Sequence, residues 1–408
     1  MNASFFIARR YLLSKRKTNF ISIISWLAVT AVAIITASLI IVMSVFNGIE
    51  EVLFSLNSTF DAPLLIKPAK GKSFISNDSL LQSIKTVEGV EIVTEVIEDY
   101  AYLRYRQANQ LVIVKGVSDN FLQHNRINNG ISNGQLRLTE GEANYAIIGV
   151  GIEYNLSVMI NEPYFPLQLF YIKKSNNSGS IDPSQLYSQI NVVPTAAFSI
   201  VQQYDDNYII IPLRAAEKLM DYPNKRTAIE IKPKENFSLA QVQNDLQSQL
   251  GDKFLVLNHQ QQHADLYKLL RMEKLFVFLA FALLLGIGAL NIFFGLMMLT
   301  LDKKKDLSIL TSMGASERFI QKIFLFEGVL IAGIGTTIGL TLGGLICWLQ
   351  MKFNLVSMGV SNAVTEGYPI KPIASDFIIA LLLVACITFL VSIKPALLAA
   401  KNAKVEYL

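Results

Sequence analysis

Four long apolar blocks constrain this chain more than any other feature. They run from Phe20 to Phe46, Leu275 to Leu301, Ile323 to Leu349 and Phe377 to Ile393. A membrane-spanning helix needs ~20 predominantly apolar residues. The first three blocks exceed that, and the fourth reaches it by continuing into Pro395-Ala396. Only 17% of the 408 residues are charged, where soluble domains carry about 25%. Disordered, collagen-like and coiled-coil chains are excluded. The two cysteines, Cys347 and Cys386, both lie inside apolar blocks, so there is no disulfide framework. The pattern predicts a membrane protein of four transmembrane helices with a large α/β extracytoplasmic domain between the first two.

Basic residues Arg9, Arg10, Lys15, Arg16 and Lys17 precede the first block, and Ala31-Val32-Ala33 imitates a signal-peptidase site. The apolar run continues well past the ~7–15 residues of a signal-peptide core, so it reads as an uncleaved anchor. Lys303, Lys304, Lys305, Arg318 and Lys322 separate blocks two and three, and Lys394, Lys401 and Lys404 follow block four. Only Lys352 and Lys371 lie between blocks three and four. The positive-inside rule then places both termini and the 302–322 segment in the cytoplasm. The expected map is a basic tail at 1–19, spans at 20–47, 269–301 (with a stalk), 323–350 and 377–397, an outer loop at 351–376 and a cytoplasmic tail at 398–408.

The outer segment, 48–268, is too long for a loop. Pro63–Pro68 reads as a strand, Asp78–Val87 as a helix, and Ile92–Arg106 with Leu111–Gly116 as a hairpin. Thr227–Lys232 reads as a strand, Ser238 caps a helix to Leu250 that Gly251 stops, and Lys253–Leu257 is another strand. Two β-α-β-like pieces, about 60–117 and 223–262, thus bracket a less regular lobe at about 118–222.

Catalytic signatures are absent. Gly71-Lys72-Ser73 resembles the end of a phosphate loop, but Ile66 stands where the first glycine is required. His259 and His263 have zinc-compatible spacing, yet the chain's third histidine is the distant His124. Asp205-Asp206 reads as a solvated turn, and no Gly-x-Ser-x-Gly elbow occurs. No catalytic residue, metal ligand or bound cofactor is expected.

Gly335, Gly339 and Gly343 repeat every four residues, a face that lets another helix approach closely, within the chain or between chains. Asn291 can hydrogen-bond across helices, and Glu327 is an ionisable residue at the edge of a span. In the 302–322 segment, Leu307, Leu310 and Met313 recur at helical spacing between a charged start and Gly314. A helix this short is not stable alone, so its apolar side must lie on a membrane or in another protein's groove.

The run from Lys304 through Asp306, Leu307, Leu310, Met313, Gly314 and Ala315 to Arg318, then Ile323-Phe324, Glu327-Gly328 and the glycine repeat, resembles the FtsX-like permeases of type VII ABC transporters. Within that family the resemblance is to the lipoprotein-releasing (Lol) permeases. It rests further on Phe6-Ile7-Ala8-Arg9-Arg10-Tyr11-Leu12, Ile23-Ile24-Ser25-Trp26, Ser44-Val45-Phe46-Asn47-Gly48 and Arg271-Met272-Glu273-Lys274.

The resemblance implies a porter-like subdomain split around an inserted lobe, and a coupling helix at Lys304–Ala315 that docks on a separate ABC ATPase, which binds the ATP. It implies a second permease copy or a paralogue, a lipoprotein substrate drawn from the lipids of the inner membrane, and a periplasmic lipoprotein carrier. Val42, Met43, Phe46, Met272, Phe276 and Leu279 become candidate walls of an apolar cavity. Lys173, Lys174 and Tyr187 become candidate carrier contacts around the polar run Lys173–Ser180. An efflux or cell-wall-signalling permease that works by mechanotransmission is the alternative expectation.

Overall fold

The structure, a computed structural model, describes residues 3–13, 20–173, 187–357 and 367–402. The chain divides into a membrane unit, Met1–Val52 with Leu266–Leu408, and an α/β unit, Leu53–Asp265.

The membrane unit holds α1 (Ala3–Leu13), α2 (Phe20–Phe60) as far as Val52, α3 (Ala264–Asp302) from Leu266, α4 (Lys304–Ser312), α5 (Glu317–Phe353) and α6 (Ala374–Asn402). Helices α2, α3, α5 and α6 are each long and apolar enough to cross a membrane. At 41 and 39 residues, α2 and α3 are each ~60 Å long, about twice the thickness of bilayer hydrocarbon. Sequence pattern ends the first apolar block at Phe46, but the helix runs on through Glu50, Glu51 and Leu53 to Phe60. Pro395 lies inside α6, which continues to Asn402.

Glycines of α5 decide how this unit packs. A Cβ on Gly335, Gly339 or Gly343 would lie 2.8, 2.6 or 3.0 Å from the carbonyl oxygens of Val29, Ala33 and Ala37 on α2. The glycine face therefore seats the backbone of the first spanning helix within this chain. Asn291 is half-buried on α3.

The α/β unit holds an eleven-stranded sheet. Its main strands are β1 (Leu64–Pro68), β2 (Val90–Tyr105), β3 (Ala108–Val117), β4 (Ile131–Gly134), β5 (Ala143–Gly149), β6 (Leu167–Ile172), β7 (Tyr187–Phe198), β8 (Tyr208–Pro212), β9 (Ala228–Pro233) and β10 (Phe254–Asn258). Their order is β10-β1-β9-β2-β3-β8-β5-β7-β4, with β6 bridging β2 and β7. The anticipated hairpin is β2–β3, in antiparallel register from Val96↔Val117 to Tyr105↔Ala108. Helices Asp78–Thr86 and Leu239–Leu250 cover the β1/β9/β10 end, burying Ile84, Val242 and Leu246 against Leu64, Ile66 and Ile229. Asn77 caps the first of them by accepting from the Leu80 amide.

The middle section is more regular than its sequence suggests. Pairings β2–β3, β3–β8, β8–β5, β5–β7, β7–β6 and β6–β2 close a six-stranded ring. It buries Leu103, Val114, Ile148, Leu169 and Ile209. Strand β2 serves both regions: Val90–Val96 pairs with β9, and Tyr102–Arg104 pairs with β6. Bracketing pieces and lobe thus share one sheet.

Candidate functional site

Helix α4 is the short element between α3 and α5. Gly314, at φ +94, reverses the chain after it. Ser316 then caps α5 by accepting from the Phe319 amide. Leu307 is 1% exposed, in one packed cluster with Ala8 of α1, Leu299 of α3 and Ile320, Ile323 and Phe324 of α5. Leu310 is half-buried against the same cluster. The apolar stripe therefore splits. Leu307 and Leu310 hold α4 to its own unit, whereas Met313 is 80% and Ile309 46% exposed. Lys305 and Asp306 share the outward side. Lys304 and Ala315 are half-buried and Gly314 is exposed. Ile309 escaped sequence reasoning, although its i, i+4 spacing to Met313 carried the signal.

Two further sequence segments meet at the other end of the spanning helices. Lys274 Nζ donates to Asn47 Oδ1 at 2.6 Å, and Asn47 Nδ2 donates to Asp376 Oδ2 at 2.7 Å and to the Lys371 carbonyl at 3.1 Å. Asn47 and Asp376 are buried. The Lys371 amide donates to the Ser44 carbonyl at 2.9 Å, and a Cβ on Gly48 would lie 2.4 Å from the Pro369 carbonyl oxygen. This knot ties α2, α3, the 367–373 segment and α6 by contacts that no local pattern announces.

The six cavity candidates divide by helix. Met272, Phe276 and Leu279 are 45%, 64% and 53% exposed on α3, and their row continues through Leu283, Ile287 and Leu290. Val42 and Phe46 are half-buried on α2. Met43 is buried with Leu39, Ile40, Cys347 and Ala380, so packing within the unit already uses it. Glu327 is 2% exposed, and its Oε2 has no partner among the described residues.

In the α/β unit, Asp61 accepts from Tyr204 Oη at 2.7 Å and lies 2.6 Å from His263 Nε2. Burial alone would raise the Asp61 carboxyl, but the His263 hydrogen bond and the Lys115 charge outweigh it and hold the carboxyl below its usual range. His259 packs edge-on against Phe54. No cluster of three metal-ligating side chains occurs among the described residues. Asp205 corrects the solvated-turn expectation. It is buried, and it accepts from the Ile200 amide at 2.8 Å. Of the carrier candidates, Lys173 follows β6 and is half-buried, Tyr187 opens β7 with its ring 5.8 Å from Phe170, and Lys174 lies outside the described residues.

Residues 276–403 match the FtsX-like permease C-terminal domain. The lipoprotein-releasing system transmembrane protein LolE of Haemophilus influenzae is 24% identical over 363 residues, 84% of this chain and 82% of that protein. The corresponding LolC of Xylella fastidiosa is 21% identical over 421 aligned positions, 98% of this chain and 97% of that protein. An uncharacterized ABC transporter permease of Methanocaldococcus jannaschii is 32% identical over 152 residues, 36% of this chain and 38% of its own length.

Proposed function

We propose, from the premise that this chain belongs to the FtsX-like permeases of ABC transporters, that it is a permease subunit that lifts lipoproteins out of a bacterial inner membrane. The similarity to Lol permeases along 98% of the chain carries the reading. Both termini and α4 would face the cytoplasm, and the α/β unit the periplasm, where a carrier receives the cargo. A second permease, identical or paralogous, would complete the pathway between spans.

The physical task is large. Drawing acyl chains from lipid opposes ~0.8 kcal/mol per CH₂, tens of kcal/mol for several chains, so the work needs ATP. The ATP would be hydrolysed by a separate subunit seated on Ile309 and Met313. The open row Met272, Phe276 and Leu279 supplies apolar surface beside which acyl chains can leave the bilayer.

Affinity purification of the full chain from membranes, followed by mass spectrometry, tests this reading. It should recover an ABC ATPase together with acylated lipoproteins. Recovery of a wall hydrolase or a small-molecule efflux adaptor in place of lipoproteins would overturn the cargo assignment. In intact spheroplasts a cysteine replacing Tyr164, which is 86% exposed, should react with an impermeant thiol reagent. Labelling only after lysis would invert the topology.

A further inference from the structure

Helix α1 presents two different faces. Ser4 and Ala8 are 1% and 0% exposed, and Ile7 and Tyr11 pack beside them on the cluster containing Leu307, Ile320 and Phe324. On the opposite face Phe5 and Phe6 are 37% and 48% exposed, and Arg9 and Arg10 are exposed one turn further on. The Phe5 ring meets Phe326 of α5 edge-on at 5.9 Å, so the outer face lies alongside a spanning helix near its start. Arg318 and Lys322 of α5 are exposed too, with Glu317 the acidic group among them. Lys15, Arg16 and Lys17 follow in the sequence.

Paired aromatic rings and guanidinium groups on one helix face suit the boundary between acyl chains and headgroups. There the rings enter the apolar layer and the arginines meet phosphate. Water would suit the two phenylalanines poorly, and a purely apolar surface would leave the arginines unsolvated.

We propose that the Phe5, Phe6, Arg9 and Arg10 face of α1 docks on anionic phospholipid of the cytoplasmic leaflet. Because Ala8 and Leu307 share one packed cluster, the lipid surface then braces the back of α4, the helix whose front carries Ile309 and Met313. The inference rests on the membrane reading and the orientation, and is independent of the cargo.

The test uses the full chain in nanodiscs of phosphatidylcholine alone or mixed with phosphatidylglycerol. Native mass spectrometry reports the retained lipid, and amide exchange reports residues 4–13. Two basic side chains at an anionic surface should give a ~30-fold preference for phosphatidylglycerol, about 2 kcal/mol, with slower exchange across α1. High salt should collapse the preference by screening, with no substitution needed. The R9Q/R10Q variant should lose the preference and R9K/R10K should keep most of it. Equal retention of both lipids, or an R9Q/R10Q variant that still selects phosphatidylglycerol, would overturn the proposal. So would inorganic phosphate alone slowing α1 exchange in phosphatidylcholine discs, which would assign the site to a free anion.

Discussion

Lys274 Nζ and Asn47 Oδ1 lie 2.6 Å apart although 227 positions separate them in the chain. Each sits in a short segment that carries family resemblance, Ser44–Gly48 on α2 and Arg271–Lys274 on α3. Their meeting gives those segments a shared physical purpose. Asn47 accepts from the ammonium and donates to Asp376, 7% exposed, so one amide side chain mediates between a cation and a buried carboxylate. Removing it takes away the carboxylate's hydrogen bond and leaves it, among the described residues, only the Lys274 ammonium, 3.9 Å away.

Asn47→Leu should therefore lower the stability of the membrane unit by ~2 kcal/mol, the scale of a hydrogen bond to a charged group. Asp376→Leu added to it should restore part of the loss, because the buried carboxylate is then gone and the Lys274 side chain, 27% exposed, stays in reach of water. Thermal unfolding of the two single variants and the double variant forms the cycle. Strictly additive losses would mean that the two side chains do not act together.

The glycine face of α5 gives a second contrast. At Gly339 a Cβ would lie 2.6 Å from the Ala33 carbonyl oxygen and 2.7 Å from Thr36 Cβ, whereas nothing lies within 4 Å of one at Gly333. Gly339→Val should destabilise by ~1–3 kcal/mol through overpacking, and Gly333→Ala should be neutral or slightly stabilising through helix propensity. Thermal-shift curves of the two variants decide it. Equal losses at both positions would show that α5 does not seat α2 by this face.

Local chemistry made part of this architecture legible. The spans, the β2–β3 hairpin and the Leu239–Leu250 helix between Ser238 and Gly251 follow from periodicity and breakers. The ring of strands was not legible, since β5 and β8 bury Ile147, Ile148, Ile209, Ile210 and Ile211 in unbroken apolar runs. Such runs lack the alternation that marks a half-exposed strand. The extension of α2 past Phe46 was hidden because hydropathy reports the bilayer and says little about where a helix ends. On α4 the spacing of Leu307, Leu310 and Met313 marks an apolar stripe, but spacing cannot say which side faces the chain's own core.

That division of α4 separates two kinds of substitution. Met313→Asp and Ile309→Asp change exposed positions, so the permease should insert and melt normally while ATPase retention on affinity beads falls at least ~10-fold, about 1.4 kcal/mol. Leu307→Asp places a carboxylate where the native side chain is 1% exposed, and should cost ~3 kcal/mol or more in folding. Full ATPase retention by the Met313→Asp/Ile309→Asp double variant would move the docking surface elsewhere.

The α/β unit should respond to acid in two stages. His124 is 6% exposed, with Nε2 2.8 Å from Thr94 Oγ1. Burial and then the Arg126 guanidinium lower its pKa from 6.5 to about 4. A depressed histidine favours the neutral folded form, so its contribution is complete above pH 6.5 and is lost as pH falls toward 4. Glu230 behaves differently. Burial would raise its carboxyl, but Arg126 and Lys115, the latter with Nζ 2.7 Å away, bring it from 4.5 to about 2. Its contribution is lost only below pH 4.5. Burial pushes Glu98 and Asp205 upward, which works in the opposite sense and flattens the middle of the curve. Thermal unfolding of the α/β unit should therefore fall first between pH 6.5 and 4, and again below 4.5. His124→Gln should remove ~2 kcal/mol of the first fall and leave the second intact. Parallel pH curves for the parent and His124→Gln would show that this imidazole does not control the upper limb.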